Sequence, residues 1–316
     1  MERKKGSLDK KTKILIIGGT GYIGYHLVRK CVSLGWSVSV FSIHNPKKDR
    51  KVKDVKYYQG NLVKKSTLKK IDKNFDFIVN LGGYVDHKNK VKSLNTHYIG
   101  CKNLVEIFLK KKIKLFLQVG SGAEYGKIRS PHHESSDRKP KSIYGTPKFL
   151  ASKHLIQKFK KEGFPCCIVR LYQVYGKKQD SNRVIPFIVR SCLKNQPFPC
   201  SDGKQFRDFL DIEQVVNVLI KVLKTKKVLG EIINIGSGEA ISIKFLIKKI
   251  CQITKKGKPK FGMIKMRSDE NKKVYPNINK AKKILKWYPK KNFYKKLISI
   301  INYEKKVLKY KFKSLI

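Results

Sequence analysis

Residues Lys13 to Ser42 read KILIIGGTGYIGYHLVRKCVSLGWSVSVFS, and this stretch decides the fold. It opens on a short β-branched apolar run that ends in glycine at Gly19, the pattern of a strand buried on both faces. From Tyr22 to Leu34 the apolar positions recur at helical spacing, Gly35 supplies a C-cap, and WSVSVFS returns to strand. Between strand and helix lies Gly18-x-x-Gly21-x-x-Gly24. Glycine there permits positive φ and leaves no Cβ between the backbone and a phosphate. The following helix aims its free N–H groups and positive dipole end at the same point. Opening a βαβ unit, the triplet marks a dinucleotide pyrophosphate site; in isolation it would mark only a tight turn packing a helix on a sheet.

Outward from this unit the alternation continues. FDFIVNL (Phe75 to Leu81), KLFLQVG (Lys114 to Gly120) and PCCIVRL (Pro165 to Leu171) are strand-like runs separated by amphipathic stretches, with no internal repeat. The expected fold class is α/β, a Rossmann-type doubly wound parallel sheet. After about Gly176 the pattern loosens into Pro- and Lys-rich segments with shorter helices, which predicts a smaller C-terminal substrate-binding lobe.

The chain has 316 residues, of which 41% are apolar and 10% aromatic, so it is long enough for a substantial core and too apolar for disorder. No apolar run approaches the roughly 18 residues of a membrane span, and the charged start MERKKGSLDKK lacks a signal-peptide core. The expectation is a soluble, cytoplasmic protein without membrane insertion. Its seven cysteines are dispersed without a CxxC spacing and read as reduced core thiols; no metal site is expected, and His132-His133 reads as a solvated loop pair.

A formal charge of +51 prompts the question of nucleic acid. Only ten of the 73 basic residues are Arg, and the lysines are spread along the chain, as on a solvated surface. A reading head would concentrate Arg and stacking aromatics on one element. No specific nucleic-acid partner is expected, while the field would attract an anionic substrate.

The second strand ends at Ser42, where a cofactor with a free 2′-hydroxyl usually meets an acidic side chain. Here Ser42 is followed by His44, Lys47, Lys48 and Arg50, a set suited to a 2′-phosphate, so the expected cofactor is NADP or NAD with NADP preferred. A second motif, Tyr144-x-x-x-Lys148, lies in SIYGTPKFLASKHLIQKF, with Pro147 in the first helical turn. Tyrosine has an ordinary pKa near ~10, and an ammonium one helical turn away helps it exchange a proton near neutrality. Such pairs arise by chance in a lysine-rich chain. Ser121, just past KLFLQVG at the carboxyl edge of the sheet, strengthens this one, because ligands of open α/β folds sit there.

Together these residues carry a resemblance to the extended short-chain dehydrogenases/reductases of the nucleotide-sugar epimerase/dehydratase group. Beyond GGTGYIG and YGTPK it includes Asn61-Leu62, NLGGYVDH (Asn80 to His87), LNTHYIGCKNLVE (Leu94 to Glu106), VGSGAEYG (Val119 to Gly126) and RLYQVYG (Arg170 to Gly176). It continues through RVIPFIV from Arg183, FRDFLDIEQVV from Phe206, INIGSGEAISI from Ile233 and NKAKKILKWYP from Asn279. The resemblance implies an NAD(P)-binding Rossmann domain over 12–176, completed by about 209–236, with 177–208 and 237–316 as substrate-binding lobe. It implies Ser121, Tyr144 and Lys148 as the catalytic trio. Gly18, Gly21, Tyr22, Ile23 and Gly24 would hold the pyrophosphate, and Asn61 and Leu62 would lie beside the adenine. Leu81, Gly82, Gly83 and Asn95 would border the ribose and nicotinamide, which Lys148 would also reach. Arg207, and with it Arg183, would clamp a nucleoside diphosphate sugar; the plainer alternative for Arg207 is an ion pair with Asp208 or Asp211. Tyr172 and Arg267 are candidates for the sugar pocket.

The departures narrow the chemistry. Asn61 and Gln173 stand where the group commonly has Asp and Asn. Its dehydratases place an acidic pair directly after the catalytic hydroxyl, whereas Ser121 is followed by Gly122-Ala123, with Glu124 one position further on. Without that pair 4,6-dehydration lacks its general acid and base, leaving hydride transfer at the sugar C4. The expected enzyme is an epimerase or 4-ketoreductase making an activated sugar for surface polysaccharide, and a homodimer pairing the helices of Asn95 to Lys111 and Tyr144 to Lys161. Two other classes are open: a reductase of a non-nucleotide carbonyl, and a non-catalytic dinucleotide- or RNA-binding protein on the same fold, which need not have kept Tyr144 and Lys148.

Overall fold

The computed structural model describes residues 11–313 apart from 72–73, 85–88, 139 and 267–269. The first half runs β1 (Lys13–Ile17), α1 (Tyr22–Ser33), β2 (Ser37–Ser42), β3 (Val55–Gln59), α2 (Lys65–Leu68), β4 (Phe77–Asn80) and α3 (Lys90–Leu94). A π-helical turn, Asn95–Ile99, leads into α4 (Gly100–Phe108), β5 (Leu115–Ser121), α5 (Gly145–Glu162), β6 (Cys166–Leu171) and β7 (Gln173–Tyr175). Then follow α6 (Val184–Leu193), β8 (Pro197–Pro199), β9 (Phe206–Asp211), α7 (Ile212–Lys224), β10 (Ile232–Ile235) and β11 (Ala240–Ser242). The chain closes with α8 (Ile243–Thr254), β12 (Lys258–Lys260), β13 (Lys273–Val274), α9 (Asn279–Leu285) and α10 (Phe293–Lys313).

Seven strands form one parallel sheet in the order β10-β6-β5-β4-β1-β2-β3. Both faces of it are covered. Ile14 and Ile16 of β1 pack with Leu27, Val28 and Cys31 of α1 and with the apolar side of α7. Leu15 and Ile17 pack the other way, against Leu104, Val105 and Phe108 of α4 and Ala151 and Leu155 of α5. Burial on both sides explains why the strand reads as an unbroken apolar run rather than an alternation. The chain runs outward from β1 to β3 and then returns to place β4 on the other side of β1, which opens a crevice at the carboxyl ends of β1 and β4.

Outside this sheet, β9 pairs antiparallel with β11 and parallel with β13 and β7, and β8 pairs with β12. A separate core joins α6, α8 and α10 through Ile185, Ile188, Leu246, Ile250, Leu297 and Ile301. The expectation of shorter helices in this region is corrected by α10, which spans 21 residues. Its buried Leu297, Ile300 and Ile301 each contribute about 1.5–3 kcal/mol. Lysines on its remaining faces obscure the period in the sequence.

Candidate active site

The glycine turn lies at the head of the crevice. Gly18 has φ +73, where any side chain would be strained, and a Cβ on it would press on the Leu81–Gly82 backbone at 3.1 Å. Gly21 is the exposed N-cap of α1 and no side chain caps that end, so the first-turn amides of Tyr22 and Ile23 have no intrahelical acceptor. A Cβ on Gly21 would meet only the Gly18 carbonyl, at 3.2 Å, leaving open space in front of the helix end. A pyrophosphate fits this cradle. Gly24 serves differently: it is buried, and a Cβ there would lie 2.3 Å from the Gly18 oxygen, so it permits close packing rather than touching a ligand.

The crevice is walled by the other residues singled out in the sequence. Ser42 Oγ accepts the Thr20 amide at 3.4 Å, joining the end of β2 to the glycine turn. Of its basic neighbours, His44, Lys47 and Lys48 are exposed, whereas Arg50 is buried, donating to Asp180 Oδ1 at 2.8 Å and to the Lys178 carbonyl at 2.7 Å. Arg50 is thereby removed from the set suited to a 2′-phosphate. Asn61 Oδ1 accepts the Val63 amide at 3.0 Å, and Leu62 is buried. Leu81 and Gly82 are held by Asn80, whose Oδ1 accepts the Gly82 amide at 3.0 Å. Asn103 reaches from α4 to the Leu62 carbonyl at 2.8 Å and so fixes that side of the crevice. Asn80 opens the NLGGYVDH motif and Asn103 lies in LNTHYIGCKNLVE, yet neither is given a role by the sequence.

Ser121, Tyr144 and Lys148 converge at the carboxyl end of β5. Tyr144 is the N-cap of α5. The helix start rests on the turn after Ser121, because Gly145 packs on the Ala123 carbonyl, where a Cβ would come within 2.3 Å. Lys148 is 6% exposed; its Nζ donates to the Val119 carbonyl at 2.9 Å and lies 5.4 Å from the Tyr144 ring centroid. Asn95 starts the π-helical turn, on the same segment as His97. The His97 ring stands edge-on to Tyr144 with centroids 5.2 Å apart, and its Nε2 donates to the Tyr84 carbonyl at 3.0 Å. Burial, and then the Lys148 ammonium, pull the His97 pKa down to about 3, so the imidazole is neutral. His97 lies in the LNTHYIGCKNLVE motif, yet nothing in the sequence gives it a role.

One expectation about a polar group is corrected. His132 is fully buried rather than solvated; its Nδ1 meets the Tyr172 hydroxyl at 3.1 Å and its ring lies on Tyr125, while His133 is exposed. Glu124 is also fully buried, paired with Arg170 at 2.9 Å, and so is no stand-in for a dehydratase acid. Tyr172 packs its ring on Gly122, and Arg267 lies outside the described residues.

Arg183 and Arg207 share the wall of a cavity of about 450 Å³ with Gln173, Phe198, Cys200 and Glu270. The trio does not line this cavity. Arg207 is 7% exposed and pairs with Glu270, not with Asp208 or Asp211; it also donates to the Phe206 and Asn271 carbonyls at 2.7 and 3.0 Å. Asp208 instead accepts from Ser237 and Gly238.

A parallel sheet with its phosphate cradle at the switch point, and a Tyr-x-x-x-Lys helix beside it, define an extended short-chain dehydrogenase/reductase. A profile of the NAD dependent epimerase/dehydratase family matches residues 14–236, and the chain belongs to that family, which comprises nucleotide-sugar enzymes. The UDP-glucose 4-epimerase of Lactobacillus helveticus is 25% identical over 308 residues, 88% of this chain and 92% of that one. The UDP-N-acetyl-alpha-D-glucosaminuronate decarboxylase of Bacillus cytotoxicus is 28% identical over 271 residues, 77% of this chain and 81% of its own length. The crystal structure of UDP-glucose 4-epimerase from Thermotoga maritima with UDP-glucose shares the fold at TM-score 0.87 and 24% identity, covering 94% of this chain and 100% of that one. Among the described residues no helix is long and apolar enough to cross a membrane.

Proposed function

We propose that the protein is a nucleotide-sugar epimerase or 4-ketoreductase acting at the sugar C4, in the supply of an activated sugar for surface polysaccharide. The observation that carries this reading is the turn after Ser121. Gly122 and Ala123 offer no carboxylate and Glu124 is fully buried against Arg170, so a Ser-Tyr-Lys trio stands there without the acid and base that dehydration needs. Tyr144 exchanges the proton of the C4 hydroxyl, Ser121 hydrogen-bonds the reacting oxygen, and the Lys148 ammonium gives countercharge as the phenol loses its proton. Gly18, Gly21, Tyr22 and Ile23 hold the dinucleotide phosphates, Gly24 lets α1 come close enough to do so, and Leu81–Gly83, Asn95 and Lys148 hold the nicotinamide half. The nicotinamide, when bound, takes and returns the hydride. Arg207 and Arg183 clamp the sugar nucleotide's diphosphate, which favours a nucleotide substrate over a neutral carbonyl compound. The lobe division at residues 176–177, with 209–236 returned to the cofactor side, belongs to the same reading.

Ser42, Lys47 and Lys48 favour NADP(H) beside NAD, even with Arg50 tied to Asp180. The test is to denature the purified protein and measure released cofactor by absorbance and mass, then to follow C4 by NMR on UDP-, dTDP- and CDP-sugars. Stoichiometric NAD(H) with C4 inversion would assign the epimerase and end the NADP preference. An empty protein that binds NADPH above NADH and reduces a 4-keto sugar nucleotide would assign the reductase. Loss of water from C6, or salt-sensitive RNA binding with no turnover of any sugar nucleotide, would overturn the proposal.

A further inference from the structure

Glu124 sits where the three segments around the trio meet. Its Oε1 accepts the Ser121 amide at 2.9 Å, at the end of β5. Its Oε2 accepts the Ser152 hydroxyl at 2.8 Å and the Arg170 Nε–H at 2.9 Å. Ser152 lies one turn beyond Lys148 on α5, the helix that Tyr144 caps, and Arg170 is on β6. Glu124 and Arg170 are both 0% exposed. The carboxylate lies flat on the preceding strand: a Cβ on Gly120 would come 2.2 Å from Oε1. The Ser121 hydroxyl is turned by the same capping box, since its Oγ accepts the Ala123 amide at 3.2 Å. Beyond the pair, the Arg170 guanidinium carbon stands 4.6 Å from the Tyr125 ring centroid, and the Tyr125 hydroxyl donates to Asn234 of β10 at 2.8 Å.

Burying an ion pair is a poor way to gain stability, because desolvation offsets most of the attraction and apolar residues of equal volume often serve as well. What apolar residues cannot do is accept hydrogen bonds from a strand end and a helix at once. We infer that Glu124 is a positioning residue, whose single carboxylate ties the Ser121 backbone to α5 and so sets the Ser121 hydroxyl relative to Tyr144. Arg170 supplies the countercharge that holds this carboxylate in a dry core. The inference rests on the roles given above to Ser121, Tyr144 and Lys148.

The test uses the full chain with Glu124→Leu/Arg170→Met, which removes the pair while keeping the volume apolar, together with Ser152→Ala and Ser152→Thr. A folded double variant with wild-type cofactor affinity and KM is expected to lose kcat by about 100-fold, the scale of a misplaced reacting group. Its amides from Ser121 to Gly126 are expected to exchange hydrogen faster than in the wild type. Ser152→Ala loses a smaller part of kcat, and Ser152→Thr, which keeps a hydroxyl, recovers it. Wild-type kcat and unchanged exchange in the folded double variant would overturn the inference, as would a loss confined to KM. Should the double variant fail to fold, a Ser152→Ala enzyme with wild-type kcat and exchange overturns it equally. If the wild type itself turns over no sugar nucleotide, the functional reading fails, while exchange at Ser121 still decides whether Glu124 is the tie.

Discussion

Lys148 donates to the Val119 carbonyl at 2.9 Å, and this contact pins the lysine of the Tyr-x-x-x-Lys motif to the strand that ends in Ser121. Lys148→Met should therefore act twice. Turnover falls by about 10²–10⁴-fold, the usual range for losing a proton-transfer partner. Denaturant unfolding should show about 1–3 kcal/mol less stability, because a buried carbonyl loses its donor. Tyr144→Phe should lose turnover with unchanged stability. A Lys148→Met protein as stable as the wild type would show that the Val119 contact contributes nothing.

The second and third turn glycines should separate stability from binding. Gly24→Ala places a methyl 2.3 Å from the Gly18 oxygen and is expected to cost about 1–3 kcal/mol, visible as a lowered melting temperature. Gly21→Ala meets one oxygen at 3.2 Å and should fold normally, yet weaken NAD(H) binding by crowding the helix end. Equal melting points for the two variants would contradict this division.

Glu270 competes with any anion that enters the cavity for the Arg207 guanidinium. With UDP as probe, Arg207→Ala should weaken binding at least tenfold, about 1.4 kcal/mol, and leave cofactor affinity unchanged. Glu270→Gln should tighten UDP, since it removes the carboxylate that a diphosphate must displace. Calorimetric titration of both variants decides it; weaker UDP binding by Glu270→Gln would mean that the pair holds the cavity open instead.

Acid should destabilise the fold. Burial pulls His97 to about 3 and His132 to about 4 from their usual 6.5, so below pH 6.5 the unfolded chain holds protons the folded one lacks. Asp208 is pushed by burial from 3.8 up to about 6 and works in the opposite sense between those values. Its share of stability is lost as pH rises, theirs as pH falls. His26 and His154 are lowered by burial as well and Asp211 is raised by it, so the lowered histidines outnumber the raised carboxyls and stability should drop as pH falls from 6 to 4. Unfolding curves at half-unit steps measure this, and His132→Phe should flatten the slope; a flat wild-type profile would be inconsistent with two neutral buried histidines.

Light scattering at micromolar concentration should report a homodimer joined through the 95–111 and 144–161 helices. A monomer would remove that expectation; the edge-on rings of Tyr98 and His154, which join these helices, meet within one chain in either case.

The sheet and its glycine turn were legible because buried parallel strands and Gly18-x-x-Gly21 leave local marks: an unbroken apolar run and a backbone that admits no side chain. Ser121, Tyr144 and Lys148 were legible through position at a strand end and i, i+4 spacing. What escaped depends on partners far away in the chain. Arg50 looked like a phosphate ligand until Asp180 claimed it, and His132 looked solvated until Tyr125 and Tyr172 closed around it. In the sequence Glu124 reads only as an acid, since nothing local shows that Arg170 will lie beneath it. The length of α10 was hidden by lysines covering a face that Leu297 and Ile301 leave exposed.

The return of β10 to the edge of β6 has a consequence for how this protein is made. Every residue of β6 is buried in the finished molecule, yet its outer partner is synthesised some sixty residues later, after all of α6 and α7. Until Ile235 has left the ribosome, the nascent sheet carries an unprotected apolar border, open to pairing with another unfinished chain. Stop mutations between Gly176 and Ile232 should therefore yield insoluble fragments rather than small cofactor-binding proteins, and neither half of the molecule can be transplanted as a cassette cut at that point.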